Sequence, residues 1–158
     1  MLSFFGVAMK RIPHSALILC LILVVPISMC ITGGEDTAEP VVVDPSLRMV
    51  EVVYFHETRR CTACINIEKW AYEAVHFSFL DAYADGRLTY RSINIDDRAH
   101  AALISSYGAC YTSLYVNAIY GGSYHIVELT EAWLLSDKKD AFMAYVEEAI
   151  ANALGELP

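Results

Sequence analysis

The stretch YFHETRRCTACINIEKW, residues 54–70, joins three local patterns. It closes an apolar run, sets Cys61 and Cys64 two residues apart, and opens a run with helical spacing. The preceding segment, MVEVVYFH (49–56), is rich in β-branched and aromatic residues and almost uncharged. It reads as a strand buried on both faces. From Cys64 onward the period changes. Ile67, Trp70, Ala74 and Phe77 recur at steps of three and four, joined by Ala71, Val75 and Leu80. This spacing predicts a helix with one core-facing side. It ends at ADGR (84–87), where Gly86 suits a helix stop.

Further on, LTYRSINI (88–95) alternates and reads as a second strand. Asp96 or Asp97 is placed to cap a short helix over RAHAALISSYG (98–108), which Gly108 closes. SLYVNAIY (113–120) and SYHIVEL (123–129) are two strands joined through Gly121-Gly122, a hairpin signal. In the last segment Phe142, Tyr145, Val146, Ala149, Ile150 and Ala153 form an apolar stripe, with Asp137 as the expected cap. The order is βαβ followed, after a helix, by ββα. The first two strands should be parallel with a right-handed crossover. A Cys-x-x-Cys pair between the first strand and first helix completes a thioredoxin-like α/β layout, with a central sheet of about four strands flanked by helices.

The first residues are of another kind. Residues 1–14 carry Lys10, Arg11 and His14 and no acid, and SALILCLILVVPISMCIT (15–32) has no charge. A basic flank before an apolar run is a secretory signal or a membrane anchor. Its length is near the lower limit for spanning a bilayer, and Pro26 would kink such a helix without forbidding it. Residues 1–33 are therefore read as a signal peptide or anchor, 34–46 as a flexible linker, and 47–158 as the folded domain. The basic end should stay in the cytoplasm, with the domain on the extracytoplasmic side of the cell membrane. Cys30 ends the apolar run, as a lipid-attachment cysteine does, but bulky Met29 precedes it where that signal prefers a small residue. Cys20 reads as a small hydrophobe.

The domain carries 9 lysines and arginines against 15 acids. That acidity argues against nucleic-acid binding, which needs a basic footprint. The chain has five cysteines. Apart from Cys20 and Cys30 they are Cys61, Cys64 and Cys110, too few for a disulfide scaffold. One pair plus one spare thiol is the simplest arithmetic, and an exported setting permits the disulfide.

The element order resembles the thioredoxin fold over nearly all of residues 48–153. GRLTYRSINID (86–96) and YG (107–108) are similar to thioredoxins at the matching places. More narrowly, YFHETRRCTACINIEKW with AWLLSDKKDAFMAYVEE (132–148) resembles a group of small exported proteins, the nitrophenyl compound nitroreductase subunit ArsF family. Tyr54, Phe55, His56, Thr58, Arg60, Cys61, Cys64, Ile67 and Glu68 fill that family's recurring positions. Two departures from thioredoxin follow from the comparison. The cis-proline that faces the cysteines there falls here at Thr112 or Ser113. The acid buried behind the pair there is Tyr54 here. Both argue against a fast general reductase, and the missing proline removes a steric guard against metal.

In thiol–disulfide exchange the thiolate attacks. Cys61 falls at a helix start, where free N–H groups and the dipole favour an anion, and Arg59 and Arg60 add positive charge. Cys61 is thus expected to attack and Cys64, less exposed, to resolve. Arg60 tunes the thiol, His56 is a candidate proton carrier, and the Thr112–Ser113 backbone is expected to position a bound peptide. This reading asks for no cofactor. Its partner is a protein thiol or disulfide, or a membrane electron donor, with redox direction open. A structural disulfide remains an alternative. So does a metal or metalloid module using Cys61, Cys64 and Cys110, with His56 as a fourth ligand; zinc wants four. A third is a docking subunit of a membrane redox complex. Cys110 reads either as a small buried residue or as a third redox thiol. His76, His100 and His125 read as surface or core-edge residues, and Trp70 and Trp133 as core aromatics. The tyrosines of YGACYTSLYV (107–116) either rim the substrate site or pack.

Overall fold

The structure is a computed structural model that describes residues 43–158. The leader, with Cys20, Pro26 and Cys30, and most of the linker lie outside the described residues. Val43 is buried, and an Asp44–Leu47 turn, in which Ser46 donates to the Asp44 carboxylate, leads into the first strand.

Strand β1 (Met49–His56) pairs in parallel with β2 (Leu88–Asn94) and antiparallel with β3 (Ser113–Tyr120). β3 pairs antiparallel with β4 (Ser123–Glu128). The sheet order is β2-β1-β3-β4. The fold is α/β and thioredoxin-like, as the element order requires.

β1 is central, so both its faces are covered. On one face Val50, Val52 and Tyr54 pack with Ile67 and Ala71 of helix α1 (Thr62–Glu73) and with Phe142, Val146 and Ile150 of the final helix. On the other, Val53 and Phe55 pack with Ile93, Tyr107 and Tyr115. Each such side chain contributes about 1.5–3 kcal/mol by leaving water, which is why an uncharged run takes the central place. Gly121 and Gly122, at φ 60° and 76°, form the β3–β4 turn. Two successive positive φ values match the twist of a tight hairpin, and only glycine adopts them without strain.

Two expectations are corrected and one is decided between its alternatives. The first helix does not keep its period to Leu80. After Glu73 it passes through a π-helical turn (Ala74–Ser78) and breaks at Phe79 before α2 (Leu80–Ala84). A π turn takes one extra residue, so the inward stripe slips. Ala74, Val75 and Ala82 take the core, while Phe77 and Leu80 are 74% and 58% exposed. Second, of the two candidate caps before the short helix, Asp97 accepts from the Ala99 amide at the 3₁₀ turn Arg98–His100 that precedes α3 (Ala101–Tyr107). Asp96 is engaged elsewhere. Third, Asp137 does not cap the last helix, α4 (Lys139–Gly155). Lys138 holds that position without a side-chain bond. The helix start is tied instead by Lys139 Nζ to Glu73 of α1 at 2.6 Å. Among the described residues no helix is long and apolar enough to cross a membrane.

Candidate functional site

Cys61 and Cys64 are joined as a disulfide, with Cα atoms 5.1 Å apart. The extended backbone of Cys61 makes it the N-cap of α1, and the Cys64 amide donates to Cys61 Sγ at 3.1 Å. A sulfur thus takes a place commonly held by a Ser or Asp oxygen, on one of the four N–H groups a helix start leaves unpaired. Cys61 is exposed and Cys64 is buried. α1 is held in place by the burial of Ile67 and Ala71 and by Asn66 Nδ2 donating to Ser136 O at 2.9 Å.

Beneath the pair lies Tyr54, fully buried, whose hydroxyl donates to Cys64 O at 2.8 Å. Burial pushes its phenol up to about 12, against the opposing charge of Arg60. Tyr54 therefore stays neutral and acts as a hydrogen-bond donor. The Arg60 guanidinium lies 5.7 Å over the Tyr54 ring and pairs with Glu68. Glu68 also accepts from Ser92 Oγ at 2.6 Å. Burial raises the Glu68 carboxyl, but the bonds from Ser92 and Arg60 outweigh it and hold it below the usual range. The loop before Cys61 is pinned to the end of β2, where the Thr58 amide donates to Asp96 Oδ2 at 2.8 Å and Asn94 donates to the Thr58 hydroxyl.

A shallow groove of about 320 Å³ crosses the disulfide, lined by Glu57, Arg59, Cys61, Cys64, Tyr111, Thr112 and Trp133. Thr112 and Ser113 are buried on its far side, and among the described residues every peptide bond is trans. Trp133 Nε1 donates to Thr112 O at 3.0 Å, and the Tyr111 hydroxyl donates to Glu128 at 3.1 Å. A roomier groove of about 400 Å³ between β3, β4 and α4 includes His125 and Glu148 but no thiol. Chemistry rather than volume marks the site.

Cys61, Cys64 and Thr112 share one groove, with Arg60 and Ser113 beside it. His56 does not line that groove: its Nδ1 lies 3.0 Å from Glu57 O and its ring stacks on Tyr54. Cys110 is not a buried residue. It is exposed, donates to Gly108 O at 3.5 Å, and lines a separate groove with Ile95 and Ile104. Its chain neighbours Tyr111 and Thr112 are the ones that fold back on the pair. Among the described residues, no three His, Cys, Asp or Glu side chains gather to hold a metal ion. His76 stacks on Tyr72 and meets Tyr83 at a tilt, and His125 stacks on Tyr120.

Trp133 is the residue that pattern reasoning misplaced. It ends a 3₁₀ turn (Thr130–Trp133), is 38% exposed, and faces the disulfide groove instead of the core. The signal available was that Ser136 and Asp137, at i+3 and i+4, are both polar. Of the tyrosines, Tyr107 and Tyr115 pack in the second core, whereas Tyr111 is exposed at the groove. Comparisons with protein-family models, curated proteins and solved structures give no match.

Proposed function

We propose that this protein performs thiol–disulfide exchange on the extracytoplasmic side of a membrane, tethered by its first 33 residues. Membership of the ArsF-type group of exported proteins is part of the same reading. The observation that carries it is the asymmetry of the pair: an exposed cysteine at a helix N-terminus bonded to a buried one.

The exchange runs in two steps. A donor thiolate attacks Cys61 Sγ, the Cys61–Cys64 bond breaks, and Cys64 leaves as the thiolate and takes up a proton. A second donor thiol, as thiolate, then displaces Cys61 from the mixed disulfide. The donor pair is oxidised by two electrons and the protein pair reduced. In reverse, the Cys61 thiolate attacks a substrate disulfide and Cys64 releases the product. The apolar rim of Tyr111 and Trp133, with Ile65 exposed next to Cys64, suits a polypeptide partner whose cysteine is flanked by apolar residues. The Thr112–Ser113 segment faces that partner across the groove. Turnover of insulin or glutathione disulfide, abolished by Cys61→Ser, is the expected result. Unchanged turnover in that variant overturns the reading.

A further inference from the structure

Arg60 immediately precedes the N-cap, and Cys61, Cys64 and Glu68 follow at steps of three and four along one side of α1. The guanidinium is not a free charge. It is bonded to the Glu68 carboxylate, which Ser92 Oγ fixes from β2, while the Tyr90 hydroxyl donates to the Glu68 carbonyl at 3.3 Å. Both partners are part-buried, so solvent screens the pair only in part. Arg60 Nε is buried with no hydrogen-bond partner, which leaves an unused donor on a guanidinium that lies over the ring of Tyr54, the residue whose hydroxyl meets Cys64 O. The other charges at the groove, Arg59 and Glu57, are exposed.

We propose that Glu68 is a positioning residue that sets the redox poise of the Cys61–Cys64 pair by holding and half-neutralising Arg60. The inference rests on the exchange reading above. Reduction by glutathione makes its sign explicit. The protein disulfide and two glutathione thiols give one protein thiol, one protein thiolate, glutathione disulfide and one released proton. The thiolate at Cys61 is the new charge. A free guanidinium beside it favours the reduced form, and an uncompensated carboxylate disfavours it. The Arg60–Glu68 pair holds the site between those limits, and Glu68 chooses the point.

The test equilibrates the full-length chain in detergent with glutathione and glutathione disulfide. The reduced fraction of the peptide bearing Cys61 and Cys64 is read by alkylation and mass. Glu68→Gln is isosteric and is expected to shift the equilibrium toward the reduced pair by roughly tenfold, about 30 mV. Arg60→Gln is expected to shift it by a similar factor the other way. The double variant should return to within about threefold of the parent, because the two charges cancel. Arg60→Lys keeps the charge and should stay near the parent; with Glu68→Gln it decides the matter if Arg60→Gln does not fold. Arg59→Gln, at an exposed site, should move the equilibrium less than either. A purely structural pair would change stability in both single variants without opposite shifts in poise. Shifts of the same sign, or none, overturn the inference while the parent still exchanges. A parent pair that never equilibrates with glutathione overturns the exchange reading itself.

Discussion

Tyr54 decides which chemistry is open beneath Cys64. A carboxylate under the pair would be a proton acceptor. A phenol pushed up to about 12 is a fixed donor, and here it satisfies the Cys64 carbonyl. Tyr54→Phe removes this buried hydrogen bond from a carbonyl within α1, which should cost about 0.5–1.5 kcal/mol of stability, read from chemical denaturation at neutral pH. The sign of the pH effect follows from the raised value. The folded state keeps the phenol protonated while the unfolded state loses its proton from pH 10.0 upward. Stability is thus intact below that pH and falls as pH rises toward the folded value, by about 1.4 kcal/mol per pH unit for this group. Burial raises Tyr90 and Tyr107 as well, so alkaline unfolding should be steep in the parent and measurably shallower in Tyr54→Phe. An unchanged slope would contradict this account. At the pair itself, Cys64→Ser should accumulate a mixed disulfide on Cys61, seen as an added mass that dithiothreitol removes, because the resolving sulfur is gone.

Among the elements, α1 carries the clearest lesson about what a sequence discloses. Its start was legible, because the uncharged strand, the two cysteines and the onset of helical spacing coincide within residues 49–70. The hairpin was legible too, since two adjacent glycines admit few other uses. The π turn was not. Phe77 and Leu80 continue the i, i+3, i+4 rhythm in sequence, and nothing local says that one extra residue enters the turn at Ala74–Ser78. The choice is made by packing: Ala74 and Val75 fit against the sheet, and Ser78 Oγ reaches Glu147 of α4 at 2.6 Å. Asp137 and Trp133 misled for a related reason. Both lie between the hairpin and α4, where tertiary contacts such as Trp133 to Thr112 and Lys139 to Glu73 decide the path. The register makes a sharp prediction. Phe77→Ala, at an exposed site, should change stability by no more than about 0.5 kcal/mol. Val75→Ala, in the core, should cost roughly 2 kcal/mol. Thermal or denaturant melts of the two variants read this directly. A larger loss at Phe77 than at Val75 would mean that the helix keeps its α period.

At the scale of the whole molecule the exchange reading carries an expectation about compartment. Disulfides persist where the surroundings do not keep thiols reduced, and a basic flank before an uncharged run is the pattern of a secretory signal or membrane anchor. Cys110 offers a direct test, because it is a free and exposed thiol on the domain. A membrane-impermeant maleimide added to intact cells should label the parent and leave Cys110→Ser unlabelled at that peptide. Labelling that requires lysis would place the domain inside and remove the setting that the exchange reading needs. The tether is tested separately. Alkaline carbonate should leave the parent in the membrane pellet, since an apolar segment of this length resists extraction. A chain lacking residues 1–33 should be neither exported nor sedimented. Export without sedimentation of the parent would show that the leader is removed, so that the domain works as a diffusing carrier and meets its partners by collision.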